Sequence, residues 1–191
     1  VEDCMNTLKF SEITQDDISL VGGKGLSLGI MKKNGIPVPD GFVVTADVYE
    51  FFSDSEMSEE VISEILGAFE ALNTEFVAVR SSALSEDSAK NSWAGQLDSF
   101  LFVKKENLIE SIKKCWLSLK SDRARAYIQQ NNLSEDQKIA VVVQKMIDSK
   151  KSGVMFTANP INKNTEEMII ESVYGLGELL VQGIVTPFNY V

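Results

Sequence analysis

An α+β fold is predicted by the order in which secondary-structure signals follow one another. Helical and strand signals alternate as far as Gln130, and three strand signals then come in succession between Ile139 and Val173. Strands that follow one another without an intervening helix pair antiparallel, so mixed or antiparallel sheets with flanking helices are expected, and a doubly wound parallel sheet is not.

The first helix is expected to begin in the glycine cluster at Gly22 and Gly23 and to run to about Asn34, with Leu26, Leu28, Ile30 and Met31 on or near its buried side. Gly35 supplies the C-terminal stop, with Pro37 and Pro39 beyond it. GFVVT at 41–45 reads as a short strand. From Met57 to Leu72 the apolar residues fall at helical spacing, with Ser58 as N-cap and Glu59 and Glu60 in the first turn, where the helix dipole favours them. FVAV at 76–79 reads as a strand leading into Arg80, and FLFV at 100–103 as another. Leu108, Ile109, Ile112, Cys115, Trp116 and Leu119 form a helical stripe, and a helix capped by Ser121 follows over 121–130. The strand signals at 139–147, 153–159 and 168–173 come next, with a turn at Asn159–Pro160 and a short helix starting near Gly177.

The chain has 191 residues, 44% of them hydrophobic, enough to bury a core without disulfide or metal staples. Its formal net charge of −10 argues against nucleic acid as a partner, because displacing counterions from phosphates needs a basic face. It contains no histidine, which excludes Ser-His-Asp and Cys-His nucleophile pairs, histidine-ligated zinc and histidine proton shuttles built from this chain alone. Chemistry here must use Lys, Arg, carboxylates, Gln, hydroxyls and backbone amides. Cys4 and Cys115 form no CxxC and read as reduced thiols, Cys115 in the core. VEDCMNTLKF at the start carries acids where a signal peptide would be basic, and apolar runs such as IAVVV at 139–143 fall far short of the roughly 20 residues that span a bilayer, so a cytoplasmic protein is expected.

Four segments could carry chemistry. In VGGKGLSLG at 21–29, Gly22, Gly23 and Gly25 let the backbone approach an anion, a helix start offers amide donors, and Lys24 adds a full charge. The spacing is neither Walker A nor GxGxxG, and GGKG alone also describes a turn before a helix. In VRSSALSEDSAKNSWAGQLDS at 79–99, Arg80 is placed to emerge at a sheet edge and grip phosphate oxygens, and Trp93-Ala94-Gly95-Gln96 offers a small-residue loop that could close over a ligand. The bland alternative is a surface arginine paired with Glu86 or Asp87. Gln144 interrupts an apolar strand, where its amide could meet the edge of an adenine while Met146 and Ile147 offer apolar surface to the ring; an outward-facing Gln on an edge strand is the alternative. In ESVYGLGELLVQG at 171–183, Glu171 and Glu178 read as solvated or capping residues more readily than as metal ligands.

Taken together, VGGKGLSLG, IPVPDGFVVT (36–45), VRSSALSED (79–87), WAGQLDSFL (93–101), AVVVQKM (140–146), SGVMFTANP (152–160) and GLGELLVQGIVTP (175–187) resemble the N-terminal nucleotide-binding domain of the pyruvate phosphate dikinase, phosphoenolpyruvate synthase and rifampicin phosphotransferase family. The segments occur in the family's order and cover almost the whole chain. The resemblance implies an ATP-grasp fold, with ATP between two α+β lobes, here 1–103 and an incomplete 104–191. It implies cleavage of ATP to AMP and phosphate, with the β-phosphoryl group passing to a histidine on a separate swivelling domain and then to an acceptor held by a further domain, most simply pyruvate. By resemblance Lys24 and Arg80 contact the phosphates, Gly95 and Ser99 belong to the loop that closes over them, and Gln144 binds near the adenine. Mg²⁺ is implied as well, with its ligands and a further catalytic arginine expected beyond Val191, so the fragment is expected to be inactive alone. Ser99 stands where the family commonly has threonine, Trp93 where it has phenylalanine, and the stretch from Phe52 to Ser58 looks short. An antibiotic kinase of the rifampicin type, a non-catalytic nucleotide-binding module and a plain acidic domain are the competing readings.

Overall fold

The apolar run at 139–143 is the centre of a sheet. The structure, a computed structural model, describes residues 5–54, 57–84, 93, 96–134 and 136–191, and the chain divides into two units, Val1–Met146 and Ile147–Val191.

The first unit contains β1 (Thr7–Lys9), β2 (Gly41–Val44), β3 (Val77–Ala83), β4 (Ser99–Val103) and β5 (Ile139–Lys145) in the order β1-β2-β5-β3-β4, every neighbouring pair antiparallel. Its helices are α1 (Ile18–Lys33), α2 (Ala46–Asp54), α3 (Glu59–Ala71), α4 (Leu108–Ser118) and α5 (Asp122–Gln130). Side chains alternate across a strand, and here both faces are covered. Val141 and Val143 join Phe42, Val44 and Val79 in a core completed by α3, α4 and α5, including Ile65, Ile112, Trp116 and Ile128. Ala140 and Val142 join Leu8 and Val43 in a second core with Ile13 and Val21. A strand buried on both sides loses its polar alternation, which is why IAVVV is unbroken. The sheet and its caps follow the sequence closely: the side-chain oxygens of Ser58 and Ser121 accept from the backbone N–H groups of Val61 (3.4 Å) and Ala124 (3.2 Å), and Gly35 ends α1 at φ 75°.

The second unit is a three-stranded antiparallel sheet of β6 (Lys151–Phe156), β7 (Ile169–Tyr174) and β8 (Phe188–Tyr190), with the short helix α6 (Glu178–Val181). Asn159 shapes the expected turn, its side-chain oxygen accepting from the N–H groups of Ile161 and Asn162 at 3.0 and 3.3 Å. No helix among the described residues is long and apolar enough to cross a membrane.

Among the described residues, two strands and one α-helix lie outside the sequence expectation. β1 and β8 are three residues each, too short for a period-2 pattern to register. α2 is rich in aromatic and β-branched residues, including Val48, Tyr49 and Phe52, whose intrinsic preference is for strands. The division between units falls after Met146, whereas the lobes expected from resemblance meet at 103/104. β5, which that expectation gives to the second lobe, is inserted between β2 and β3 and is the central strand of the first unit.

Cys115 sits in the α4 core with no exposed surface, and its thiol is pushed up to about 12, chiefly because burial penalises the thiolate, with the Asp98 charge adding to it and a hydrogen bond with Ser81 opposing it. Unfolded, such a thiol ionises near pH 9. The native state therefore keeps a proton that the unfolded chain gives up, and the stability this group contributes is complete below about pH 9 and lost as the pH climbs from there towards 12. Urea midpoints measured from pH 8 to 11 should fall more steeply for the parent than for Cys115→Ala; equal slopes would show that the thiol ionises freely in the fold.

Candidate functional site

The glycine segment does not begin a helix; it interrupts one. Ile18 to Val21 are helical, Gly22 leaves the helix at φ 66° and ψ 175°, and the helix resumes to Lys33. That backbone conformation favours glycine, and the space does too: a Cβ at position 22 would lie 2.5 Å from the Ser82 carbonyl oxygen. Gly22 and Gly23 are buried, and Lys24 follows on the next residue, half-buried. A helix that restarts after a turn presents a fresh set of N-terminal amides, the arrangement that suits a phosphate.

β3 carries the next group of candidates. Arg80 is the one exposed residue in a strand whose other six positions are buried. It lies opposite Val142 of β5 and Ser99 of β4, so Arg80 and Ser99, nineteen residues apart in sequence, are cross-strand neighbours on one face of the sheet. Ser82, two residues on, shares that face, about 7 Å further along the strand. The backbone before Ser99 is held firmly. Arg123 donates through Nε to the Gln96 carbonyl (3.1 Å) and pairs with Asp98 (2.9 Å), while Ser81 Oγ donates to the Asp98 carbonyl (3.2 Å). Among the described residues Arg80 makes no ion pair; Glu86 and Asp87, its alternative partners, lie outside them.

Gln144 is opposite Ala78 of β3 and Gly41 of β2, half-buried, on the same face as Ala140 and Val142 and therefore as Arg80 and Ser82. It sits in the interior of the sheet, so the edge-strand alternative does not apply. Its side-chain amide nitrogen, Nε2, donates to the Pro39 carbonyl at 3.2 Å. The carbonyl oxygen of that amide has no protein partner among the described residues, which leaves one polar edge for a ligand. Met146 is half-buried, with its N–H on the Phe76 carbonyl (3.1 Å), and closes the first unit; Ile147, exposed, opens the second.

Other expectations fare differently. Gly95 lies outside the described residues, as does Ala94. Trp93 is buried in the first core with its ring 4.7 Å from that of Tyr127, so it packs as a core residue. Glu178 accepts from Gln182 one turn along α6 (2.9 Å), a surface pair, and Glu171 is a half-buried strand residue opposite Val154. Among the described residues no group of three or more Cys, Asp or Glu is placed to hold a metal. A cavity of about 490 Å³, lined by Tyr49, Lys120, Arg125, Ile128 and Lys138 among others, contains none of the candidates. Volume alone does not mark a phosphate-binding site, since phosphate recognition rests on backbone amides and fixed cations, and the candidates for these lie on α1 and β3. Sequence reasoning missed Ser82; its signal was two adjacent serines continuing an apolar strand, polar residues that need partners when buried.

The sequence pattern described as pyruvate phosphate dikinase, AMP/ATP-binding domain, matches residues 18–55 and 48–191. The chain is 40% identical to a probable phosphoenolpyruvate synthase of Archaeoglobus fulgidus, over 98% of its own length and 30% of the relative's. It is 38% identical to the phosphoenolpyruvate synthase of Aeropyrum pernix (96% and 28%) and 33% identical to that of Pyrococcus furiosus (95% and 32%). It thus spans about a third of the length of these relatives. The Archaeoglobus comparison extends over 231 residues against the 191 of this chain, and the family match breaks into two pieces overlapping at 48–55, which agrees with the short stretch noted around Phe52 to Ser58. On a match that runs from the glycine turn to the last residue, the chain belongs to the pyruvate phosphate dikinase AMP/ATP-binding domain family.

Proposed function

We propose that this chain is the ATP-binding part of a multidomain phosphotransferase of the phosphoenolpyruvate synthase type, with an ATP-grasp fold. In that reaction ATP gives AMP and phosphate, and the β-phosphoryl group passes to a histidine on a separate domain and from there to pyruvate. The observation that carries the reading is the family match over the glycine turn and over β3, β4 and β5, the strands that bring Arg80, Ser99 and Gln144 to one sheet face. The name shared by the relatives above favours pyruvate over an antibiotic as acceptor. Their greater length gives room for the histidine-bearing and acceptor-binding domains.

The residues divide the work by chemistry. The turn at Gly22 brings backbone amides close to phosphate oxygens, while Lys24 and Arg80 neutralise their charge, Arg80 through a planar guanidinium that can take two oxygens at once. The Ser99 hydroxyl, beside Arg80, donates to the same group, and Gly95, four residues earlier in the sequence, is assigned to it as well. Gln144 meets the polar edge of the adenine, and Met146, next but one along the chain, offers apolar surface to the ring. Phosphoryl transfer through a loose transition state asks for positioning and charge neutralisation more than covalent help, which suits a chain without histidine. Mg²⁺ would accompany ATP as a counter-charge on its phosphates, and we assign it no ligand among the described residues.

Calorimetric titration of the folded chain with ATP and magnesium should show saturable binding; a well-folded sample without detectable affinity at millimolar nucleotide would refute the reading. In the full-length protein, Lys24→Ala or Arg80→Ala should lower AMP formation by about 10²-fold or more, the scale on which losing one preorganised electrostatic donor acts. Near-normal rates in both variants would remove these two residues from the phosphate site.

A further inference from the structure

The helix broken at Gly22 is mended by a side chain from another element. In an uninterrupted helix the N–H of Gly25 would donate to the carbonyl of Val21, four residues back. Here a hydroxyl stands in that link: Ser82 Oγ accepts from the Gly25 N–H at 3.2 Å and donates to the Val21 carbonyl at 2.8 Å. Ser82 and Val21 have no exposed surface and Gly25 is buried, so water is not available to either backbone group. A serine hydroxyl has one proton to give and lone pairs to receive, and both kinds of capacity are used.

We propose that Ser82 is the positioning residue of the phosphate loop: its hydroxyl replaces the helical hydrogen bond that Gly22 breaks, and so holds Lys24 in a fixed place relative to Arg80. The inference rests on the reading of the glycine turn as the phosphate site and assigns Ser82 no contact with the nucleotide. Three observations support a role in the site over a role in the fold. A helix with an ordinary residue at position 22 and an apolar one at 82 would satisfy the Val21 and Gly25 groups directly, so the hydroxyl is needed because the turn is there. The turn is a conformation open to glycine and disfavoured for other residues, and a Cβ at position 22 would meet the Ser82 carbonyl, so the break in the helix and the approach of Ser82 go together. Finally, Ser82 lies two residues from Arg80 on the same strand face, so one rigid strand carries both the arginine and the anchor of the lysine loop.

The test combines ATP titration of the parent, Ser82→Ala, Lys24→Ala and the double variant with thermal unfolding of each. Ser82→Ala should still fold, melting somewhat below the parent because a buried donor and acceptor lose their partner, while its ATP affinity falls about tenfold as the turn rearranges. In the Lys24→Ala background the same substitution should change affinity by less than about threefold, because the two residues act through one loop. Unchanged affinity in Ser82→Ala, full additivity in the double variant, or failure of Ser82→Ala to fold would each overturn the proposal. Amide hydrogen exchange separates it from the reading it rests on. If the parent binds no ATP, the nucleotide reading fails by itself, and the Ser82 link is judged by the Gly25 N–H, which should be protected in the parent and exchange faster in Ser82→Ala. Equal exchange in the two would refute the link.

Discussion

The pairing of β3 with β5 is the constraint on which the rest of the first unit depends. Seven consecutive residues of β3, Val77 to Ala83, pair in register with Lys145 back to Ile139. That ladder sets which residues face which side. A slip of one position would turn Val77 and Val79 out of their core and bring Arg80 in, so the register is fixed by the hydrophobic effect on both faces at once. The candidate site inherits this precision. Arg80 and Ser82 are two residues apart on β3, and Gln144 is displayed on the same side by β5, so their spacing is set by the pleat and not by loop geometry.

The fold was legible in the sequence wherever periodicity and capping agreed. α3, α4 and α5 follow from apolar spacing and from Ser58 and Ser121, and β5 from an unbroken apolar run. The strand order β1-β2-β5-β3-β4 could not be read, because β5 enters between β2 and β3 after some ninety intervening residues, and pairing at that distance leaves no local mark. β3 illustrates the limit within one element. Its apolar half, through Val79, reads as a strand, but the continuation through Ser81 and Ser82 does not, since serine is neutral to pattern. Only the buried partners, the Asp98 carbonyl for Ser81 and the Val21 carbonyl for Ser82, make two hydroxyls acceptable inside a core.

The candidate site was legible in its charged and glycine residues and illegible in its support. Lys24, Arg80 and Gln144 announce themselves by chemistry that is odd for their surroundings: a lysine among glycines, an arginine after an apolar strand, an amide in an apolar run. Gly22 reads as permissive in sequence, but its actual duty, a break inside a helix pressed against the Ser82 carbonyl, depends on what approaches from β3. Ser99 becomes the neighbour of Arg80 through a cross-strand pair, again a consequence of folding that no spacing in the chain encodes.

Charge completes the case for Arg80. With a net charge of −10, the average field of this chain repels a nucleotide, so capture requires cations that their own acidic neighbours have not already neutralised. Many of the basic residues are committed in that way: Lys32 with Asp40, Lys104 with Glu75, Lys114 with Glu110, Arg123 with Asp98 and Lys138 with Glu50. Among the described residues Arg80 has no such partner, and it is the single exposed position of an otherwise buried strand. A guanidinium carried on a rigid strand presents its planar fork of donors with little rearrangement when it binds. In a chain without histidine, the positive charge available to the candidate site comes from lysine and arginine, and its placement is set by the strand and the glycine turn that carry them.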